Sequence, residues 1–277
     1  MTTVIKKDPF TRNHLLRDAI GQALYDAMKE DPAIQLFGEG CHIKIHYDHP
    51  DIERDFSDRL HTLPIAEDGS VNFAVGASLL GVKPVVNLIT SDFTYRAFDS
   101  IANTAAKLNF VLPDSEPPRT IVIQAEFLTG GPTTGQRPEA LFAHIPGLNL
   151  AIPSTPNDAY GLMRTALTSP GVTIFFEDRM IQDSLTQPED IDGVGLSIIP
   201  FGQASMRMRP PRATLSIVTY GLMRQVVESV LNQEQIKTVD LIDLKTLYPI
   251  DWATLFDSVE RTGNVLVVEP DVAYAGV

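Results

Sequence analysis

Glu67 is the side chain in this sequence whose setting most suggests chemistry. It lies in the run LPIAEDG, residues 63–69, just ahead of a small-residue helix pattern, VNFAVGASLLG. A carboxylate there faces the positive end of the following helix dipole. Taken alone it reads more readily as an N-capping or solvated glutamate. Two strand ends carry further candidates: the turn Gly38-Glu39-Gly40 after AIQLF, and Thr90–Phe93 after PVVNLI. Parallel α/β sheets bind ligands beyond the carboxyl ends of their strands, so both positions suit a site. His42, His46 and His49 crowd a polar segment, 41–60, but with His61 they do not form the His-Glu-x-x-His pattern of a zinc protease. They read as a chance cluster, and no metal site is assigned.

The elements that must position these residues follow from periodicity. Residues 14–31 place Leu15, Ala19, Leu24 and Met28 at near-helical spacing, and Pro32 stops the helix. Ala33–Phe37 reads as a buried strand. A helix is expected over Val71–Leu80 with Gly81 as C-cap, leaving Glu67 in the preceding loop. PVVNLI, RTIVIQAE, GLNLAIPS and VTIFFED read as strands, and 98–107 and NDAYGLMRTALTS as helices, the latter capped by Asn157 or Ser154. Between 181 and 212 Pro, Gly and charge cluster, which reads as a linker with a short strand or two over Gly193–Phe201. Strand and helix alternate again from 213. The expectation is an α/β protein of two doubly wound domains, 1–180 and 213–277, joined by the 181–212 linker. The second domain lacks the last helix and strand such a sheet usually has, so a truncated or incomplete C-terminal domain is expected.

Composition narrows the function classes. The chain has 277 residues, 44% hydrophobic and 21% charged, with a formal net charge of −13. Such an acidic chain suits neither nucleic acid nor an anionic membrane surface. Cys41 is the single cysteine, so no internal disulfide can form, which fits a reducing compartment. No apolar stretch reaches the 18–20 or so residues of a spanning helix. A soluble cytoplasmic protein is the expectation.

The order LFGEG, LPIAEDG, FAVGASLLGVKPVV, DFTYRAFDSIANTAAK, EALFAHIPGLNLAIPSTPNDAYGLMRTAL, IFFED, SIVTYG, VDLIDLKTLYPID and TGNVLVVEP resembles the beta subunit of thiamine-diphosphate-dependent 2-oxoacid dehydrogenases (pyruvate, branched-chain and acetoin types). The resemblance implies a pyrimidine-binding domain, a linker and a transketolase C-terminal-like domain. It implies that Glu67 hydrogen-bonds N1′ of the aminopyrimidine ring and so activates the cofactor. Phe93 matches an aromatic that packs on that ring, Ile89 a large apolar residue that contacts it, and Glu39 an acidic residue close by. No Gly-Asp-Gly occurs in the chain. The resemblance therefore implies that thiamine diphosphate is shared with an alpha subunit, which holds the diphosphate and most of the Mg2+ contacts. It further implies a second beta subunit and a lipoyl-bearing transacylase as partners, with a small 2-oxoacid as substrate.

One position departs from the family. Where its members carry His-Ser-Gln, this chain has Thr134-Gly135-Gln136. A hydroxyl cannot act as a general acid or base near neutral pH. Either another side chain substitutes, with His42 and His46 as substrate-side candidates, or the protein passes no acyl group to a lipoyl arm and works as a split transketolase-like or carboligating subunit. A non-catalytic assembly subunit is the third reading. His144 is expected to pack or cap beneath the loop, and Asp243 and Lys245 to be structural.

Overall fold

The computed structural model describes residues 15–39, 49–130, 134–182 and 197–277. Helix α1 (Leu16–Glu30) turns Leu16, Ala19, Ile20, Ala23, Leu24, Ala27 and Met28 inward, the i, i+3, i+4 stripe of an amphipathic helix. It ends at Asp31, because the residue before Pro32 is driven out of helical conformation. β1 (Ile34–Gly38) follows, then α2 (Pro50–Phe56), β2 (Leu60–Thr62), α3 (Glu67–Leu79) and β3 (Lys83–Thr90). After β3 come a 3-10 turn (Ser91–Tyr95), a π-helical stretch (Ser100–Ala105), α4 (Leu108–Val111) and β4 (Thr120–Phe127). α5 (Glu139–Ala143), β5 (Leu148–Ala151), α6 (Pro156–Thr168) and β6 (Gly171–Asp178) complete the first region.

The second region runs β7 (Ser205–Met208), β8 (Leu215–Thr219), α7 (Gly221–Gln233), β9 (Val239–Asp243), β10 (Thr246–Tyr248), α8 (Trp252–Thr262) and β11 (Val265–Val268). Two sheets result, both dominated by parallel pairs. The larger has the order β10-β5-β6-β4-β3-β1-β2 and the smaller β11-β8-β9-β7. β7 pairs antiparallel with β9, at one edge of the smaller sheet. The other antiparallel strand is β10, which leaves the second region and pairs with β5 of the first sheet. The central strand β4 is buried at every residue, the signature of a strand covered on both faces. Apolar clusters fill the space on either side, one around Phe127, Phe142 and Phe176, the other where α1 packs on α6. No helix among the described residues is long and apolar enough to cross a membrane.

Several local expectations are corrected. α3 begins at Glu67 and not at Val71, because Ala66 is the N-cap and its carbonyl accepts from Ser70. The 98–107 helix is interrupted by the π-helical stretch Ser100–Ala105, a form concentrated at functional places. α6 is capped by neither Asn157 nor Ser154. Thr155 caps it, accepting from the Asp158 N–H at 3.1 Å, and Pro156 follows at the first helical position. Of Gly193–Phe201, the described residues 197–201 form no strand; β7 lies farther on.

Candidate cofactor-activating site

The carboxyl ends of β2, β1 and β3 lie side by side. Gly38 at the end of β1 is opposite Thr62 of β2 and Asn87 of β3, and its carbonyl accepts from the Leu63 N–H at 3.0 Å. Glu39 follows Gly38, the loop to Glu67 follows Leu63, and Ile89 and Phe93 follow Asn87. The parallel register thus brings four predicted residues, Glu39, Glu67, Ile89 and Phe93, to one end of the sheet. All four side chains are half-buried.

Glu67 is the first residue of α3. Its carboxylate has no hydrogen-bond or ion-pair partner among the described residues. Its neighbour Asp68 is engaged instead: the Ser100 hydroxyl donates to Asp68 Oδ1, and Asn72 Nδ2 donates to Ser100 Oγ at 2.7 Å. These bonds tie the helix start to the π-helical stretch while leaving Glu67 unspent. Two apolar side chains near it in the chain, Ile65 and Phe73, are 77% and 53% exposed.

β3 ends irregularly. Its pairing with β4 shifts between Asn87 and Thr90, and Ile89 takes φ +65°. A β-branched residue there is a true outlier, costing about 1–3 kcal/mol. The Asn87 side chain holds the distortion, since Oδ1 accepts from the Ile89 N–H at 2.7 Å. Gly38 packs against the same residue. It has φ +146°, and a Cβ there would lie 2.6 Å from the Asn87 carbonyl oxygen.

Thr134 belongs to a loop that is stitched to this end of the sheet. The Gln136 N–H donates to Asp92 Oδ2 at 3.3 Å, and the Ser91 hydroxyl donates to the Gln136 carbonyl at 3.0 Å. The Thr134 hydroxyl itself donates to the carbonyl of Gly130. Arg137 anchors the loop from beneath. Nε bonds Glu139 at 2.9 Å, Nη1 bonds Asp178 at 3.0 Å, and the guanidinium lies 3.5 Å from the centroid of the Phe127 ring. Burial pushes the Glu139 carboxyl up, against the lowering effect of Arg137. Tyr220, from the start of α7, donates to the same Glu139 at 3.3 Å, and burial raises its phenol strongly.

His144 ends α5 and is exposed, lining an open cavity of about 710 Å³ with Tyr95, Arg137 and Tyr274. It does not pack beneath the loop. His42 and His46 lie outside the described residues. Asp243 and Lys245 are buried, with Lys245 on Asp158 at 2.9 Å. No group of three or more His, Cys, Asp or Glu residues among the described residues could hold a metal ion.

Asn87 and Arg137 were not expected in the site, and Asp92 was not singled out within the Thr90–Phe93 strand end. A polar residue inside the apolar run KPVVNLIT was the one signal for Asn87. Arg137 offered none, because its partners come from β6 and α5.

Residues 14–182 match the transketolase pyrimidine-binding domain, and 204–277 match the transketolase C-terminal domain. The chain is 32% identical to the mitochondrial 2-oxoisovalerate dehydrogenase subunit beta of Chaetomium thermophilum, over 96% of this chain and 58% of that protein. It is 33% identical to the acetoin:2,6-dichlorophenolindophenol oxidoreductase subunit beta of Cupriavidus necator, over 91% and 77%. The pyruvate dehydrogenase E1 component subunit beta of Rickettsia felis is 30% identical, over 95% and 81%. Among solved structures, an inactive beta4 tetramer of a split-gene transketolase superposes with a TM-score of 0.76 at 21% identity, over 95% of this chain and 80% of that one.

Proposed function

The chain belongs to the family of beta subunits of thiamine-diphosphate-dependent 2-oxoacid dehydrogenases, and on that premise we propose that it is the activating half of a shared active site, with Glu67 as its catalytic residue. The observation that carries this reading is the unspent Glu67 carboxylate among exposed apolar residues. A partner chain that covers Ile65 and Phe73 would bury the carboxylate and give it a single nitrogen to face.

The residues present fit an aminopyrimidine ring. Glu67 can hold a proton at a ring nitrogen, and Phe93 and Ile89 offer apolar surface for the ring faces. Glu39 stands near enough in the sheet register to orient the same group. Bound thiamine diphosphate would supply a carbon nucleophile and a sink for the charge left by decarboxylation. The diphosphate and Mg2+ belong to an alpha subunit in this reading, for this chain has no Gly-Asp-Gly. A small 2-oxoacid is the substrate, a lipoyl domain the acyl acceptor and a second beta chain the further partner.

The experiment is reconstitution with the alpha chain and a 2-oxoacid panel. Glu67→Gln should lower turnover at least about a hundredfold, the scale of a lost acid–base group, with the complex still assembled. Full activity of that variant would reject the reading. Thr134 favours a second reading, a split transketolase-like subunit without lipoyl transfer, because its hydroxyl is engaged with Gly130 and cannot serve as an acid or base. Ketol transfer by the reconstituted complex, with no reduction of a lipoyl domain, would select it.

A further inference from the structure

We propose that Asn87 is a positioning residue that sets the place of Ile89 against the cofactor ring; the inference rests on the reading of Ile89 given above. Ile89 has φ +65°, which an isoleucine does not adopt unaided. Something must therefore hold it there. The register shift between Asn87 and Thr90 frees the Ile89 N–H from the sheet ladder, and Asn87 Oδ1 takes it up at 2.7 Å. The orientation of the amide follows from chemistry, since an N–H can face only the oxygen end.

The other end of the amide is unused. Asn87 Nδ2 is buried and has no hydrogen-bond partner among the described residues. An amide that spends only its oxygen is doing the work of an acceptor, and an aspartate of the same shape could do it too. Asn87 is also fixed from the opposite side. Gly38 leaves no room for a side chain against its carbonyl, so the turn bearing Glu39 and the bulge bearing Ile89 are both referenced to this one residue. Losing the acceptor lets Ile89 relax to negative φ, which swings its side chain away from where β3 now presents it.

Two measurements separate this inference from the reading beneath it. The first is amide hydrogen exchange at Ile89 in the free chain, which involves no cofactor. Asn87→Ala should speed it at least about tenfold, and Asn87→Asp should restore protection. The second is the thiamine diphosphate dissociation constant of the complex with its alpha chain. It should rise on the order of tenfold in Asn87→Ala, about 1.4 kcal/mol, and return to within about twofold in Asn87→Asp. Asn87→Leu, close in volume, serves if the alanine variant does not fold. Unchanged exchange in the free chain would overturn the clamp. Faster exchange with unchanged cofactor affinity would overturn the positioning role. Full activity of Glu67→Gln, in contrast, would remove the site reading while leaving the clamp standing.

Discussion

At Ile89 and Glu67 this chain departs from what stability alone would select. A partnerless carboxylate gains nothing from the fold, and an isoleucine at φ +65° weakens it. The strain makes a prediction with an unusual sign. In most positions Gly is less stable than Ala by about 0.5–1 kcal/mol. At this one, Ile89→Gly should leave the free chain more stable than Ile89→Ala by about 1 kcal/mol, because only glycine adopts positive φ without cost. Urea unfolding of the two variants measures it, and the ordinary order would mean that the backbone is unstrained. That Glu67 and Phe93 follow neighbouring strand ends was legible from their sequence context. The inversion at Ile89 was not, since KPVVNLIT looks like an uninterrupted buried strand. It arises from the pairing of β3 with β4, more than thirty residues away, and no local pattern carries it.

Helices and strands were read well where burial decides them. α1, β4 and β6 follow their apolar periodicity to within a few residues. Element starts were read less well, because capping is settled by single hydrogen bonds: Thr155 and not its neighbours caps α6, and Ala66 fixes α3 to begin on Glu67. α6 shows how tightly an element can be held. Its residues from Pro156 to Leu167 are all buried, and the chain leading to β7 lies directly on it. The Thr165 hydroxyl donates to the Ile199 carbonyl at 2.7 Å, and a Cβ on Gly161 would come within 2.4 Å of the Ser197 carbonyl oxygen. Gly161→Ala should therefore destabilise by about 1–3 kcal/mol, the scale of overpacking, although alanine is the better helix former. A rise in Tm would show that the crossing segment can move aside.

The two regions of the chain are joined by buried charge as well as by apolar packing. Asp243 at the end of β9 is fully buried and accepts from the Ser154 hydroxyl at 2.7 Å, ahead of α6. Burial, with the nearby Asp158 charge, pushes its carboxyl up to about 7, against Ser154, Arg224 and Lys245, which lower it. A carboxyl raised on folding contributes its stability below the unfolded value near 4, and that contribution is lost as pH rises through about 7. Glu139 and Glu177, raised chiefly by burial, act in the same direction. Thermal stability of the free chain should thus decline between pH 5 and pH 8. Asp243→Asn should flatten that decline, and identical slopes for the two proteins would refute the assignment. None of this was visible in the run VDLIDLKTLYPID, where Asp243 and Lys245 read only as structural, since their partners Ser154 and Asp158 come from around the start of α6 in the first region. The strand β10 carries the same union into the backbone. It lends its peptide groups to β5, so the larger sheet is not finished by its own half of the chain. Residues 14–182 produced alone would present β5 as a bare edge, a template for any extended segment. Separately expressed halves should accordingly self-associate or precipitate, and become soluble only when made together.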